Sequence, residues 1–471
     1  MNSVRRPILF VSMPESGLLN PLLVLAGEFA RRGVPDLAFA TDETRRADVE
    51  RLDGVEFVSM GRAPAGLTPS TMDAETFRAA AQPNRFRSLR AGVELMYQPD
   101  RQADGMRALR TAVDERRPAL MVIDSMSMFP IALAVSRGIP FVVSNPFLPS
   151  HAMTWHVPLP FGSHLPKGFP APNTGLPHPM SARQRLANRL FQLRGLTMLF
   201  GSRMRERFGA YTRLCRELDI SPEAQRPRVS ADVAELVLTY SVAELEYPVD
   251  LPSTMRLVGT MLPPLPESAG DDDITAWLDA HPSVVYVGLG TITQLTRDDV
   301  HALIEVARRL DGRHHVLWRL SERQQELLPP VDRLPANLRV ESWLPSQLDV
   351  LAHPSIKVFL THGGSNGFHE ALYFGKPMVI RPLWTDCHDV AARGRSAGVS
   401  LTLDRPHRTD PDDITGKLEA VLGDDSYRQR ADRLATLLGA AGGRSAAADA
   451  VLALPALTGD TAPVTGAAGV E

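Results

Sequence analysis

The chain has 471 residues, of which 44% are hydrophobic and 22% charged, and a formal net charge of -3. Its length exceeds one average domain, so two are expected. The near-neutral balance excludes a general electrostatic pull toward nucleic acid or anionic lipid. The only two cysteines, Cys215 and Cys387, lack metal-ligand spacing and point to a reducing, cytoplasmic setting.

The start, MNSVRRPILFVSM, carries too short an apolar run for a signal peptide and reads as a first strand, Ile8 to Met13. No run approaches the roughly 18 apolar residues of a membrane span. Pro14 to Gly17 is expected to turn, Asn20 to cap a helix and Pro21 to occupy its first position. Strands follow at Leu37 to Thr41, Val55 to Met60, Ala119 to Ile123 ending in Asp124, and Pro140 to Ser144. Alternation with helical stretches predicts a parallel, doubly wound sheet, with ligands beyond the carboxyl ends of its strands. Asp124, Asn145 and the Pro14–Gly17 turn lie at such ends.

Residues 146–180 break the rhythm with prolines, aromatics and four histidines, His151, His156, His164 and His178. The aromatic content argues for a binding loop or lid. Ser181 to Leu218 reads as Arg-rich helix. Its 191–200 portion is amphipathic enough for peripheral membrane contact, although a buried face is the simpler expectation. Val233 to Tyr240 closes the first half, and the proline-rich residues 251–273 mark a linker.

The second half repeats the pattern. Strands are expected at Val284 to Leu289, His315 to Leu320 and Leu338 to Trp343, with a helix from Asp298 to Leu310. Then Ile356 to Thr361 runs into His362-Gly363-Gly364-Ser365-Asn366-Gly367 and a helix. The unpaired N–H groups and positive dipole end at such a turn favour an anion, and His362, Ser365 and Asn366 add side-chain donors. A diphosphate cradle is expected here. Trp343 can stack on a base, Gln347 and Glu370 can bond base or ribose, Thr291 can donate to phosphate, and Asp386 can hold a sugar hydroxyl. A helical region from Asp410 to about Leu454 and a small, polar tail at 457–471 complete the chain.

Residues 343–389, with Trp343, Gln347, His353-Pro354, Thr361-His362-Gly363-Gly364, Asn366, Glu370, Gly375, Pro377 and Asp386, resemble the donor signature of the UDP-glucosyl/glucuronosyltransferase family. VVYVGLGT (284–291) and SVAELEYP (241–248) extend the resemblance over most of the chain. It implies the GT-B fold, two Rossmann-like domains facing a cleft. The expected division is 1–250 for the acceptor, a linker at 251–273, 274–435 for the donor, and 436–456 crossing back. It also implies inverting transfer of a hexose, UDP-glucose being the expected donor, to a small hydrophobic acceptor, without cofactor or metal. By the resemblance Trp343 stacks on the base, and Gln347 and Glu370 contact nucleoside hydroxyls. His362, Gly364, Ser365, Asn366 and Thr291 hold the diphosphate, and Asp386 binds the sugar. Leu18, Asn145, His151 and Trp155 are expected to line the acceptor pocket.

Two positions depart from the family pattern. The family has Gly-His-x-x-Pro after its first strand, the His being the base; here Gly17-Leu18-Leu19-Asn20-Pro21 puts leucine there. Where the family has Asp-Gln, this chain has Asp386-Cys387. Asp124 matches the carboxylate that normally orients the missing histidine. Several answers are open: Asp124 as base, His151 or His156 as substitute, an acceptor needing no strong base, or a silent homologue that binds nucleotide sugar or supports a partner enzyme.

Overall fold

The computed structural model describes residues 6–226, 229–265, 273–344 and 346–458. Two parallel sheets organise it. The first contains β1 (Ile8–Val11), β2 (Leu37–Thr41), β3 (Val55–Ser59), β4 (Leu120–Asp124), β5 (Phe141–Asn145), β6 (Leu236–Thr239) and β7 (Met255–Leu257), in the order 3-2-1-4-5-6-7. The second contains β8 (Val284–Gly288), β9 (His315–Arg319), β10 (Leu338–Glu341), β11 (Ile356–Thr361), β12 (Met378–Ile380) and β13 (Ser400–Thr402), in the order 10-9-8-11-12-13. Every pairing among these strands is parallel. In each sheet the order reverses beside the first strand, and the crevice past the strand ends lies at that switch point.

The central strands β1, β4 and β8 are buried along their whole length and β11 everywhere but Lys357, as helices covering both faces require. Phe10 illustrates the packing. It stacks on Phe39 at 5.8 Å and meets the edge of Phe29 at 5.6 Å. Helices Ala74–Ala80, Arg85–Met96 and Pro99–Arg116 fill the stretch between β3 and β4, whose polar composition hides a clear period.

Several elements differ from the sequence expectation. The first helix is Ser16–Arg31, so it begins before Asn20 and contains Pro21 within its second turn. Residues 255–257, placed in the linker by their proline-rich surroundings, form β7 on the edge of the first sheet, where proline-rich flanks are tolerated. Helix Ala182–Leu199 lies on the surface: Leu186 is 60% exposed, while Asn188, Gly195 and Met198 face inward. Its apolar face is therefore largely not the buried one. The expected tail begins within a short helix, Pro455–Thr458, and residues 459–471 lie outside the described residues. So do Pro345 and residues 266–272 of the expected linker.

Helix Gly443–Leu452 packs on helix Ser16–Arg31, with Ala447, Ala448 and Val451 fully buried in the core of the first sheet. Glu28, 2% exposed, anchors the contact. It accepts from Arg32 at 2.7 Å and from Arg444 at 3.2 Å, and Arg32 also reaches Asp449 at 2.5 Å. Burial pushes the Glu28 carboxyl up, but the arginine hydrogen bonds and charges outweigh it and hold it below the usual value. Ala448→Leu should overpack this seam and lower the unfolding free energy by about 1–3 kcal/mol, read by denaturant titration. A change under about 0.5 kcal/mol would show that the seam carries little stability.

Candidate active site

The anion cradle is built by β11 and helix Ser365–Tyr373. Between them Gly363 sits at φ +84, and a Cβ there would lie 2.7 Å from Cγ2 of Ile380, so glycine is required. The His362 ring is seated between Gly290 and Gly364, where a Cβ on either glycine would collide with it. Burial pushes the His362 imidazole down to about 4. It is therefore neutral near pH 7 and offers one N–H donor. Its Nδ1 is buried without a partner among the described residues.

The cradle touches the opposite half directly. Asn366 Nδ2 donates to the Gly17 carbonyl at 3.2 Å. That carbonyl would ordinarily pair with the N–H four residues on, which is Pro21 and has none. The carbonyl that Pro21 leaves without a helical partner is thus satisfied from across the cleft. The contact also sets the cradle beside Leu18.

A cavity of about 670 Å³ lies between the halves. The wall formed by the second half contains Thr291, Gln347, His362, Gly364, Ser365, Asn366, Glu370 and Asp386, all expected from the sequence to bind the donor. Gln347 donates to Glu370 at 2.6 Å and accepts from the Tyr286 hydroxyl at 3.1 Å. Burial pushes the carboxyls of both Glu370 and Asp386 up. Trp343 does not join them: it stands 65% exposed outside the cavity wall, with an indole face free for a stacking partner. Cys387 is buried under the turn, its thiol pushed well up by burial.

The opposite wall is largely apolar. Leu18, Met72, Leu89, Met96, Phe147 and Trp155 contribute to it, together with Asn145, His151 and His156. Asp124 is not in the wall. It is 0% exposed, and its carboxylate accepts from the Met13 and Met126 N–H groups, both at 2.8 Å, and from the Ser127 hydroxyl at 2.7 Å. Burial pushes its pKa up against those hydrogen bonds. Its role as base is thus not supported by its position: with its oxygens engaged by main chain and Ser127, it fixes the turn after β1 against the turn after β4.

Sequence reasoning missed the groups that lock the insertion to the donor side. They sit on helix Thr385–Ser396, past Asp386. Asp389 accepts from His151 Nε2 at 3.0 Å and from the N–H groups of Asn173 and Gly175. Arg393 pairs with Glu246 at 2.7 Å, each side chain 3% exposed, and lies 3.9 Å from the Tyr247 ring centroid. Glu246 also accepts from the N–H groups of Ser150 and Tyr247. Charges at three- and four-residue spacing on an otherwise buried helix were the available signal.

Among the described residues no cluster of three or more His, Cys, Asp or Glu side chains is placed to hold a metal, and no helix is long and apolar enough to cross a membrane.

Comparison with known proteins agrees with this architecture. In fold, the chain is similar to the glycosyltransferase of kitacinnamycin, with TM-score 0.68 and 22% identity over 95% of this chain and 99% of that one. It is also similar to the calicheamicin glycosyltransferase CalG4, with TM-score 0.64 and 21% identity over 98% and 100%. In sequence it is 27% identical to UDP-glucuronosyltransferase 2A3 of Cavia porcellus over 65% of this chain and 54% of that protein. It is 27% identical to human (Homo sapiens) 2-hydroxyacylsphingosine 1-beta-galactosyltransferase, over 80% and 67%. The chain spans about half the length of the first of these relatives. The family model described as "UDP-glucoronosyl and UDP-glucosyl transferase" matches residues 75–439, well over half the chain. With two doubly wound sheets, an anion cradle after β11 and a shared cavity, the chain belongs to the UDP-glucoronosyl and UDP-glucosyl transferase family.

Proposed function

We propose that the chain transfers a hexose, with inversion, from a nucleoside diphosphate sugar to a small hydrophobic acceptor, UDP-glucose being the first donor to test. The observation that carries this reading is the two-sided cavity, polar and donor-rich on the cradle side and apolar on the other. Its volume falls in the range of small-molecule sites.

In this reading His362, Ser365, Asn366, Thr291 and the main chain at Gly364 hold the diphosphate. Negative charge grows on that group as the glycosidic bond breaks, and donors fixed by β11 and its glycines meet it without reorganising. Gln347 and Glu370 exchange their mutual hydrogen bond for ribose hydroxyls, Trp343 offers its exposed face to the base, and Asp386 holds sugar hydroxyls. Leu18, Asn145, His151 and Trp155 border the acceptor. The similarity in fold to the glycosyltransferases of kitacinnamycin and calicheamicin supports a natural product as acceptor.

The test is release of UDP from UDP-glucose, UDP-galactose and UDP-glucuronate with a panel of phenols, aliphatic alcohols and polyketide-like acceptors. Acceptor-dependent release with at least one donor is expected. UDP binding without release from any pair would reject the transferase reading in favour of a binding protein.

A further inference from the structure

Leu18 has no proton-accepting group, and Asp124 is sealed behind main chain, so the transfer proposed above has no base in the family's usual place. The cavity wall holds another. His151 sits on the short helix Pro149–Ala152, and its ring lines the cavity. Phe147 stacks on that ring at 5.8 Å with an interplanar angle of 17°, which fixes its plane. Nε2 lies 3.0 Å from Oδ2 of Asp389, a residue 1% exposed. Asp389 is itself held by the N–H groups of Asn173 at 2.5 Å and Gly175 at 2.7 Å. Burial pushes the Asp389 carboxyl up, but the His151 hydrogen bond and the nearby positive charges outweigh it, so it stays below the usual carboxylate range.

An ionised carboxylate only accepts, so the ring hydrogen is on Nε2 and Nδ1 carries the lone pair. Nδ1 has no hydrogen-bond partner among the described residues, and it is not one of the buried, unpartnered atoms. Asp386 lies on the same helix as Asp389, one turn before it. His151, Asp386 and the apolar residues Leu18 and Phe147 all line the same cavity.

We propose that His151 and Asp389 form the proton-accepting pair that replaces the missing histidine, with His151 the catalytic residue and Asp389 its positioning residue. The inference rests on the glycosyl-transfer reading. The acceptor hydroxyl gives its proton to His151 Nδ1 as its oxygen bonds to the anomeric carbon. The bond from that carbon to the diphosphate oxygen breaks, and its electron pair leaves on the nucleoside diphosphate. Asp389 steadies the imidazolium that forms. The pair is split between the halves of the molecule, histidine on the acceptor side and carboxylate on the donor side. The base is complete only when the cleft is closed.

The groups that face this pair and shape its pH response are Asp386, Cys387 and His388 on the helix of Asp389, His156, Tyr247, Arg393 with Glu246, and Arg85. The experiment measures transfer from UDP-glucose to cyclohexylmethanol and to para-nitrophenol, with UDP affinity taken separately. His151→Asn should lower kcat toward the aliphatic alcohol about 10²- to 10⁴-fold and remove the rising acid limb of its pH profile. Toward the already acidic phenol the loss should be far smaller, and UDP affinity should change less than about threefold. Asp389→Asn keeps the shape of the buried side chain and should lower kcat while leaving KM for UDP-glucose nearly unchanged. Imidazole added to His151→Ala should restore part of the rate. Equal losses for both acceptors, or an aliphatic rate within about threefold of wild type, would overturn the pair while leaving the transferase reading standing. A wild-type chain that binds UDP yet transfers from none of the three UDP-sugars to either acceptor or to any member of the wider panel overturns both.

Discussion

His362→Ala should weaken UDP binding by about 10- to 100-fold. A hydrogen bond to a charged group contributes about 1.5–3 kcal/mol, and about 1.4 kcal/mol is a factor of ten in affinity. The ring is already seated between Gly290 and Gly364 before any ligand arrives, so little ordering cost offsets that bond. The neutral imidazole also predicts a flat contribution across neutral pH, because its transition lies near 4. Calorimetric titration with UDP checks both statements. Binding unchanged by the substitution would remove His362 from the cradle.

Arg393→Ala should destabilise the protein by about 3–5 kcal/mol, a large fraction of the marginal stability of a typical fold. The reason is what stays behind. Glu246 would remain 9% exposed as a whole residue, with its side chain only 3% exposed, and without its cation. Its two main-chain partners, Ser150 and Tyr247, cannot neutralise it. Arg393→Met with Glu246→Gln should recover much of the loss, since neither change leaves a buried charge. Denaturant unfolding of the single and double variants tests this. A single-variant loss below about 1 kcal/mol would mean that the pair is hydrated in solution.

The parts legible in the sequence are those whose signal is local. β11, the glycines at 363 and 364 and the helix after them are contiguous, and Gln347, Glu370 and Asp386 lie near them along the chain. Their gathering on one wall follows from parallel strands that all end at the same edge. The groups that close the site are separated in sequence: His151 and Asp389 are 238 residues apart, and Arg393 and Glu246 are 147 apart. No periodicity or spacing relates them. Asp124 was placed correctly at a strand end, but the sequence does not show that its oxygens are taken up by Met13, Met126 and Ser127. Trp343 is expected to end a strand, but β10 stops at Glu341, and nothing local indicates that Trp343 stands out in solvent.

The start of the first helix was read too late for a related reason. Proline near a helix N-terminus usually marks the first turn, and only the partner of the Gly17 carbonyl reveals why this one sits deeper. That arrangement has a consequence for which positions can vary. The contact from Asn366 reads main chain, not a side chain, and a Cβ added at Gly17 would meet nothing within 4 Å. Alanine at residue 17 would therefore leave the bridge undisturbed. At residue 21 proline supplies no N–H, so the Gly17 carbonyl has no helical partner to share with Asn366. The carbonyl that ties the two halves together is thus left open to its partner by a proline four residues away.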